Sequence, residues 1–437
     1  MNGARNRSGH TGIPTLAIIL GVVLAVPNGA NARAEETPAT EWEPDLASAI
    51  HRYFESTPQD RFTRRIADLS EGRLPLDRSS ERAFLKSLLT ALDIPESSQL
   101  LVFSNTSLQL SLIHPGNPRA LYFSDDLYLG HVPGGKIEVA TIDAELGAVF
   151  YIFDIPHGDS RVVVERARRC MNCHANEDTL RVPGLSVKSV APNPGGGSLD
   201  TFHPGRAGHS LPLAERFGGW YVTGTGGFDG HWGNRMGRLA QGELSATPLA
   251  PGARFSWERY PVATSDLLAH LLHEHQVGGI NRLIRAQYRF RELRHENGGR
   301  LPESLPKALE TELDDLLGYL LFAQEAPVPP GGITGDPAFR TAFARNRKPV
   351  GGHSLKDLDL RTRLLRFRCS YLVHAEFFGG LDADLRRRIL RDLDRALEPT
   401  TVTGKKNAAS RHLGDDEAAV IRGILRATVP GFPNGDR

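Results

Sequence analysis

Two cysteines and a histidine stand together near the middle of the chain, in the run Cys170-Met171-Asn172-Cys173-His174. This is the pattern C-x-x-C-H, which is typical of covalent haem attachment. Two thiols separated by two residues can form thioethers with the two vinyl groups on one edge of a haem. The next side chain then lies under the iron, where an imidazole can serve as proximal ligand. The pattern predicts one covalently bound haem c, held by Cys170 and Cys173, with His174 on the iron.

Two other uses of this cysteine pair have less support. A structural zinc site would need a second C-x-x-C or an H-x-x-x-H half, and the sequence offers neither. A thioredoxin-like dithiol would lie between a strand and a helix in a much smaller βαβ unit. The third cysteine, Cys369, follows Arg368 in a partly apolar run, and we expect a buried structural thiol there.

The ligand on the second side of the iron separates the possible functions. A distal methionine raises the reduction potential relative to two histidines, and an iron saturated by two ligands suits electron transfer. An iron left open permits peroxide or small-ligand chemistry. Met1 leaves with the leader described below and Met171 lies inside the attachment loop, which leaves one methionine. The distal candidates are His231, Met236, His209 and His203, or an open iron.

Two further polar clusters have structural and functional interpretations. His270, His273, Glu274 and His275 match neither H-E-x-x-H nor H-x-x-E-H, so we expect a polar helix face, with metal binding as the alternative. Four arginines precede the C-x-x-C-H run. One or two of them can pair with haem propionates, since a guanidinium suits a carboxylate, or they form a solvated basic strip. They are Arg161, Arg166, Arg168 and Arg169.

The N-terminus has the pattern of a secretory signal peptide. Arg5 and Arg7 precede an apolar run over residues 16–26, and Ala32-Arg33-Ala34 fits an A-x-A cleavage site. We therefore assign residues 1–34 to a signal peptide and predict a periplasmic protein, with an uncleaved anchor as the alternative. The run of 11 residues is short of the roughly 20 that span a bilayer, so no stable membrane span is expected in the mature chain.

Composition limits the possible partners. The 437 residues are 40% hydrophobic and 24% charged, with a formal net charge of +1. Loss of residues 1–34 leaves 49 basic and 51 acidic side chains. A near-neutral chain of this kind indicates no nucleic-acid partner. The expected partner is a redox protein or a small-molecule reductant.

The hydrophobic pattern divides the chain into three segments after the signal peptide. Residues 35–98 should form a helical start, with pieces at Pro44–Glu55 and Pro58–Leu69 and a clearer helix from Ser79 or Ser80 to Asp93. Residues 99–261 should form a β-rich region that carries the haem, in which an antiparallel meander of about six strands is followed by glycine-rich loops from residue 175. The predicted strands are Leu101–Ser104, Leu108–Ile113, Ala120–Phe123, Leu127–Val132, Ile137–Ile142 and Ala148–Phe153.

Residues 262–437 should be helical. Ser265 or Asp266 can cap a first helix that reaches Val277, where Gly278-Gly279 predicts a kink or a stop. The remaining predicted helices are Ile280–His295, Pro306–Ala323, Leu360–Phe378, Asp382–Leu397 and Asp415–Ala427. The predicted fold class is α+β, with a β-rich haem-bearing region before an α-helical C-terminal half, unlike a minimal all-α cytochrome c.

Several segments resemble a family of long, exported, single-haem cytochrome c-like proteins of bacteria. The resemblance covers most of residues 99–430 and includes an H-x-G-N run after a Gly-Trp-Tyr stretch, which His231-Trp232-Gly233-Asn234 matches. It implies a haem and an electron-carrier role, favours His231 as distal ligand, and supplies no substrate. The segments are Asn117–Phe123, Cys170–His174 with Val182-Pro183-Gly184, Glu215–Gly224, Leu358–Leu364 and Cys369–Leu372.

These patterns lead to a periplasmic mono-haem c-type cytochrome that transfers single electrons. The alternative is a haem-dependent oxidoreductase, a peroxidase or an oxidase of a small reductant, that uses an open or labile distal site. Its support is chain length, because an electron carrier needs only about a quarter of these residues. A non-catalytic haem-based sensor is a third possibility. No catalytic residue is assigned by the sequence.

Overall fold

The computed structural model describes residues 45–105, 107–158, 160–224, 230–399 and 407–433. The predicted signal peptide, residues 1–34, lies outside these ranges. The described residues form a mixed α+β structure with a seven-stranded antiparallel sheet and with most of their helices in the C-terminal half. This confirms the predicted α+β class and the order of its strand-rich and helix-rich segments.

The main sheet has the strand order β6-β5-β4-β3-β2-β1-β9. The predicted meander is confirmed for β2 to β5, which pair in sequence order through short turns. Two separate hairpins, β7–β8 and β10–β11, lie in the glycine-rich region. The strands are β1 Leu100–Val102, β2 Arg119–Phe123, β3 Leu127–His131, β4 Ile137–Asp143, β5 Gly147–Phe153, β6 Glu165–Arg166, β7 Ser189–Pro192, β8 Ser198–Phe202, β9 Trp220–Tyr221, β10 Arg235–Ala240 and β11 Glu243–Pro248.

The strand predicted at Leu108–Ile113 is wrong. A 3₁₀ turn occupies Leu110–Leu112, and the side chains of Leu108 and Leu110 are about half exposed. The reason lies in the sheet, because β1 is already paired with β2 on one side and with β9 on the other. No open strand edge remains beside β1 for the segment to join.

The helices pack mainly on one side of this sheet. Short 3₁₀ turns, among them Tyr371–His374, connect several of them. The α-helices are α1 Ile66–Ser70, α2 Glu81–Ala91, α3 Met171–His174, α4 Leu267–Glu296, α5 Lys307–Leu320, α6 Pro337–Ala344, α7 Glu376–Gly379, α8 Ala383–Ala396 and α9 Asp415–Thr428.

Helix α2 begins as its sequence predicts. The Ser80 side chain accepts a hydrogen bond from the backbone N–H of Ala83, which satisfies one of the donors left free at a helix start. The helix predicted at Pro44–Glu55 is wrong, since its described residues form turns. Only the end of Pro58–Leu69 is helical, as a 3₁₀ turn at Thr63–Arg65 followed by α1.

Of the kink or stop predicted at Gly278-Gly279, the stop is wrong, because α4 runs unbroken for 30 residues. The two glycines admit neighbouring elements instead. A Cβ atom on Gly278 would lie 2.3 Å from the Tyr319 hydroxyl, and one on Gly279 would lie 2.6 Å from Leu372 Cδ1. Close packing of α5 against α4 therefore requires glycine here.

The helix predicted at Leu360–Phe378 is also wrong. Leu360 has a positive φ of 63°, and the Asp359 carboxylate accepts hydrogen bonds from the N–H groups of Arg361 and Thr362. These local bonds compete with helix formation. Only Glu376–Gly379, at the end of the segment, is α-helical.

Alternate residues of the strands pack into two cores, one on each side of the sheet. On the front face, which we define by Phe123, Tyr128, Ala140 and Phe150, the sheet packs against α4 and the later helices. On the back face it packs against α2 and the N-terminal segment. Each strand of the meander is thus fixed in register by two apolar surfaces.

Candidate functional site

The C-x-x-C-H run lies on one helical turn at the edge of the sheet. Edge strand β6 ends at Arg166, a 3₁₀ turn covers Arg168–Cys170, and α3 continues through His174. Residues three and four apart on a helix point to the same side. The structure therefore places Cys170, Cys173 and His174 on one side of this turn.

The two cysteines differ in burial and both are free thiols. Cys170 is half-buried against the front-face core, and Cys173 is exposed. Burial raises the pKa of the Cys170 thiol to about 12, and the nearby Glu138 carboxylate adds to this shift. The motif therefore offers two reduced, unpaired sulfurs at the spacing that haem attachment needs.

His174 is held in one orientation and one tautomer. Its Nδ1 lies 2.9 Å from the Gly184 carbonyl oxygen, and because a carbonyl only accepts, Nδ1 carries the proton. Burial lowers the pKa of His174 to about 4, although the bond to Gly184 opposes this shift, so the ring is neutral at pH 7. Among the described residues, Nε2 has no hydrogen-bond partner. A neutral imidazole with a free Nε2 can bind a metal ion.

Gly184 is itself fixed by helix α4. The Asn281 side chain accepts a hydrogen bond from the Leu185 N–H and donates one to the Leu185 carbonyl, both at 2.8 Å. On the other side, the N–H of Ala148 in β5 donates to the Pro183 carbonyl. A Cβ atom on Gly184 would lie 2.6 Å from Asn281 Oδ1, so only glycine allows this approach.

Beside the attachment helix, the front face of the sheet carries a row of residues that face one another on adjacent strands. The row is Leu121, Gly130, Glu138 and Ile152, from β2 to β5. Its leucine and isoleucine are only half-buried, as is the neighbouring Ala140. This part of the front face combines the half-buried apolar side chains of Leu121 and Ile152 with the Glu138 carboxylate.

An ion pair lies on the same surface. Arg119 Nη2 is 2.5 Å from Glu138 Oε2, and both side chains are mostly buried. Burial would raise the pKa of Glu138, but Arg119 and hydrogen bonds from Gln109 and Ser107 hold it below its ordinary value. The buried Nε of Arg119 has no partner among the described residues, so one donor remains for an anionic group.

The two leading distal candidates lie away from the attachment turn. His231 packs its ring against Phe217, 5.5 Å away, beside the loop that enters β9. Met236 packs against the back-face core.

The other two distal candidates have protein partners. His209 is buried, and its Nδ1 lies 2.7 Å from His275 Nδ1. His203 forms an ion pair with Glu215. Cys369 is fully buried, as its sequence context predicts.

The polar face predicted on α4 is wrong, because all four of its ionisable residues are buried. His270 Nε2 lies 3.1 Å from both Ser265 Oγ and the Tyr221 carbonyl, and Glu274 pairs with Arg216 at 3.0 Å. The first half of α4 is enclosed by neighbouring elements, since every residue from Leu267 to Asn281 is buried.

The arginines before the motif have mixed surroundings. Arg166 donates to the carbonyls of Ser56 and Tyr53, at 2.9 and 2.5 Å, and Arg168 donates to the Phe54 carbonyl at 3.4 Å. Their guanidinium groups hold the N-terminal segment. Sequence reasoning missed Arg119, which is the arginine on the front face beside the motif.

Comparison with known proteins gave no match to a family model, to a curated protein or to a solved structure. Within the described ranges, no helix is long and apolar enough to cross a membrane. The same ranges contain no group of three or more His, Cys, Asp and Glu residues arranged to hold a metal ion. Haem iron takes only one or two ligands from the protein, so it needs no such group.

Proposed function

We propose that this protein is an exported mono-haem c-type cytochrome that transfers single electrons. Cys170 and Cys173 attach the haem, and His174 is the proximal iron ligand. The observation that carries the proposal is His174, a neutral imidazole fixed by Gly184 with its Nε2 free, on the same helical turn as two unpaired thiols.

Bound haem supplies a reversible one-electron couple at its iron. The chain supplies position and environment. The Gly184 carbonyl accepts the Nδ1 proton of His174, which fixes the ring and strengthens it as a ligand. The half-buried apolar residues of the front face exclude water from one side of the site. The free Nε–H of Arg119 is placed to bind a haem carboxylate.

The signal-peptide pattern supports export to the periplasm, where c-type haem is attached and where a redox protein or small reductant would exchange electrons with it. The test is to express the full chain, with its leader, in cells that carry haem-maturation machinery. A pyridine haemochrome spectrum then reports whether haem is bound through two thioethers. We expect one haem per chain that remains bound after denaturation and acid–acetone extraction.

Cys170→Ala combined with Cys173→Ala should abolish the covalent haem. Cys369→Ala is the matched control, since it removes a thiol buried far from the motif in sequence, and it should leave attachment unchanged. A wild-type protein that is exported and folded but carries no haem would refute the proposal. Equal loss of haem in the control would also count against it.

A further inference from the structure

Helix α4 contains three buried histidines, and two of them have hydrogen-bond partners. His270 is bonded to Ser265 and Tyr221, and the two nitrogens of His275 lie 2.7 Å from His209 Nδ1 and 2.9 Å from Ser370 Oγ. His273 is 5% exposed, and neither of its ring nitrogens has a hydrogen-bond partner among the residues that the structure describes. Its ring nitrogens are not among the fully buried polar atoms that lack a partner, so they retain some accessible surface and remain available to a further group.

The surroundings of His273 point to the front face of the sheet. Its ring lies 5.3 Å from the Phe123 ring, 5.8 Å from the Tyr128 ring and 6.4 Å from the Trp220 ring, measured between centroids. Phe123 and Trp220 offer no hydrogen-bond acceptor, and the Tyr128 hydroxyl donates to Gln276 Oε1 at 2.9 Å. The polar edge of His273 is therefore available to a further group.

His174 and His273 stand over the same row of the sheet. Phe123, Tyr128, Ala140 and Phe150 face one another across β2, β3, β4 and β5. The His174 ring lies over Phe150, with centroids 4.3 Å apart, and His273 lies over the other end of the row. Between them the sheet contributes only the methyl group of Ala140. Tyr128 and Phe150 are two strands apart, which is about 10 Å.

Helix α4 gives a second measure of the distance between the backbone segments that position His174 and His273. Asn281 holds the Gly184–Leu185 segment that orients His174, and it lies eight residues after His273 on the helix. Eight residues rise about 12 Å. By both measures, these backbone segments are about 10–12 Å apart. Two imidazole side chains, each joined to the same metal ion by a bond of about 2 Å, span a distance of this order.

We propose that His273 is the distal ligand of the haem iron, opposite His174, so that the iron has two histidine ligands. This rests on the proposed haem attachment at Cys170 and Cys173. His231 packs against Phe217, beside the loop that enters β9. Met236 belongs to the back-face core.

The test uses the mature holoprotein and its absorption and electron paramagnetic resonance spectra. The wild type should be low-spin in both oxidation states. His273→Ala should become high-spin or water-ligated, and added imidazole should restore the low-spin spectrum. His273→Met should remain low-spin with a raised midpoint potential, because methionine ligation raises the potential relative to histidine. His270→Gln, a change at another buried histidine of α4, and His231→Ala should leave the spectra unchanged.

A low-spin spectrum in His273→Ala would overturn the assignment. A high-spin spectrum in His231→Ala, together with a spectrum of His273→Ala that matches wild type, would overturn it as well. A high-spin wild type would overturn it too. If His273→Ala does not accumulate, near-infrared magnetic circular dichroism can be measured on wild type and on His231→Ala instead. Two-histidine ligation of the iron in both proteins would support His273 as the ligand. Loss of two-histidine ligation in His231→Ala would refute the assignment. Absence of covalent haem in wild type would instead refute the proposed function.

Discussion

Replacement of Asn281 by alanine tests how the site is built, because this one amide connects helix α4 to the segment that orients His174. Asn281 is 2% exposed and exchanges two hydrogen bonds of 2.8 Å with the backbone of Leu185. Leu185 is itself buried, with 5% of its surface exposed. Asn281→Ala therefore leaves a buried donor and a buried acceptor unpaired.

The expected magnitude follows from these two groups. Each buried backbone group left without a partner costs about 1–3 kcal/mol, so the two groups left unpaired by Asn281→Ala should lower the free energy of unfolding by about 2–6 kcal/mol. Gln287→Ala on the same helix is the matched control. Gln287 is also buried, and it accepts one hydrogen bond, from the Asp382 N–H, so its loss should cost about 1–3 kcal/mol.

Urea unfolding followed by tryptophan fluorescence measures both variants, with the free energy obtained by linear extrapolation. In the holoprotein, Asn281→Ala should also shift the midpoint potential, because the Gly184 carbonyl that fixes His174 is no longer held. Gln287→Ala should leave the potential unchanged. A stability loss in Asn281→Ala below about 0.5 kcal/mol, the size of an ordinary surface change, would refute the reasoning.

Three further predictions concern single groups. Arg119→Leu should destabilise the protein by about 2–4 kcal/mol, because it leaves the mostly buried Glu138 carboxylate without its partner. Adding Glu138→Gln should recover part of this loss in the same urea assay. Stability losses of the two single variants that simply add in the double variant would contradict this prediction. Burial raises the pKa of Glu325 to about 7, so its contribution to stability is complete below its ordinary value of 4.5 and is lost as the pH rises through 7. Glu325→Gln should therefore be about 1–3 kcal/mol more stable than wild type at pH 8 and equal to it at pH 4, and the opposite order would exclude the pKa shift. In the haem-free protein, a thiol reagent should modify the exposed Cys173 and should reach Cys369 only after denaturant is added. The Cys369 thiol is fully buried, and burial raises its pKa to about 12. Modification of Cys369 in the folded protein would contradict this packing.

Local signals in the sequence predicted several elements correctly. Ser80 marks the start of α2, and the turns at Asp125-Asp126 and Pro133–Gly135 separate the strands of the meander. In these segments the turn or cap residues and the apolar period favour the same structure. The C-x-x-C-H run was likewise evident, because its chemistry depends on spacing alone.

The errors arose where tertiary packing decides the structure. Gly278 and Gly279 suggested a break in α4, but they serve to admit Tyr319 and Leu372. The apolar run that ends at Ile113 suggested a strand, but β9, distant in the sequence, occupies the free edge of β1.

The proposed distal ligand could not be predicted from the sequence for the same reason, because its position depends on tertiary packing. His273 is one of several histidines on α4, and only the pairing of β2 to β5 places it over the row that also carries His174. Asn281 and Gly184 are nearly one hundred residues apart, so their contact has no local signature.

The intact mass of the exported wild-type protein tests the central claim most directly. A single spectrum reports both the processing of the chain and covalent attachment under denaturing conditions. We predict the mass of residues 35–437 plus one haem, and the mass of residues 35–437 alone for the variant that lacks Cys170 and Cys173. A wild-type mass equal to that of the bare chain would contradict the account.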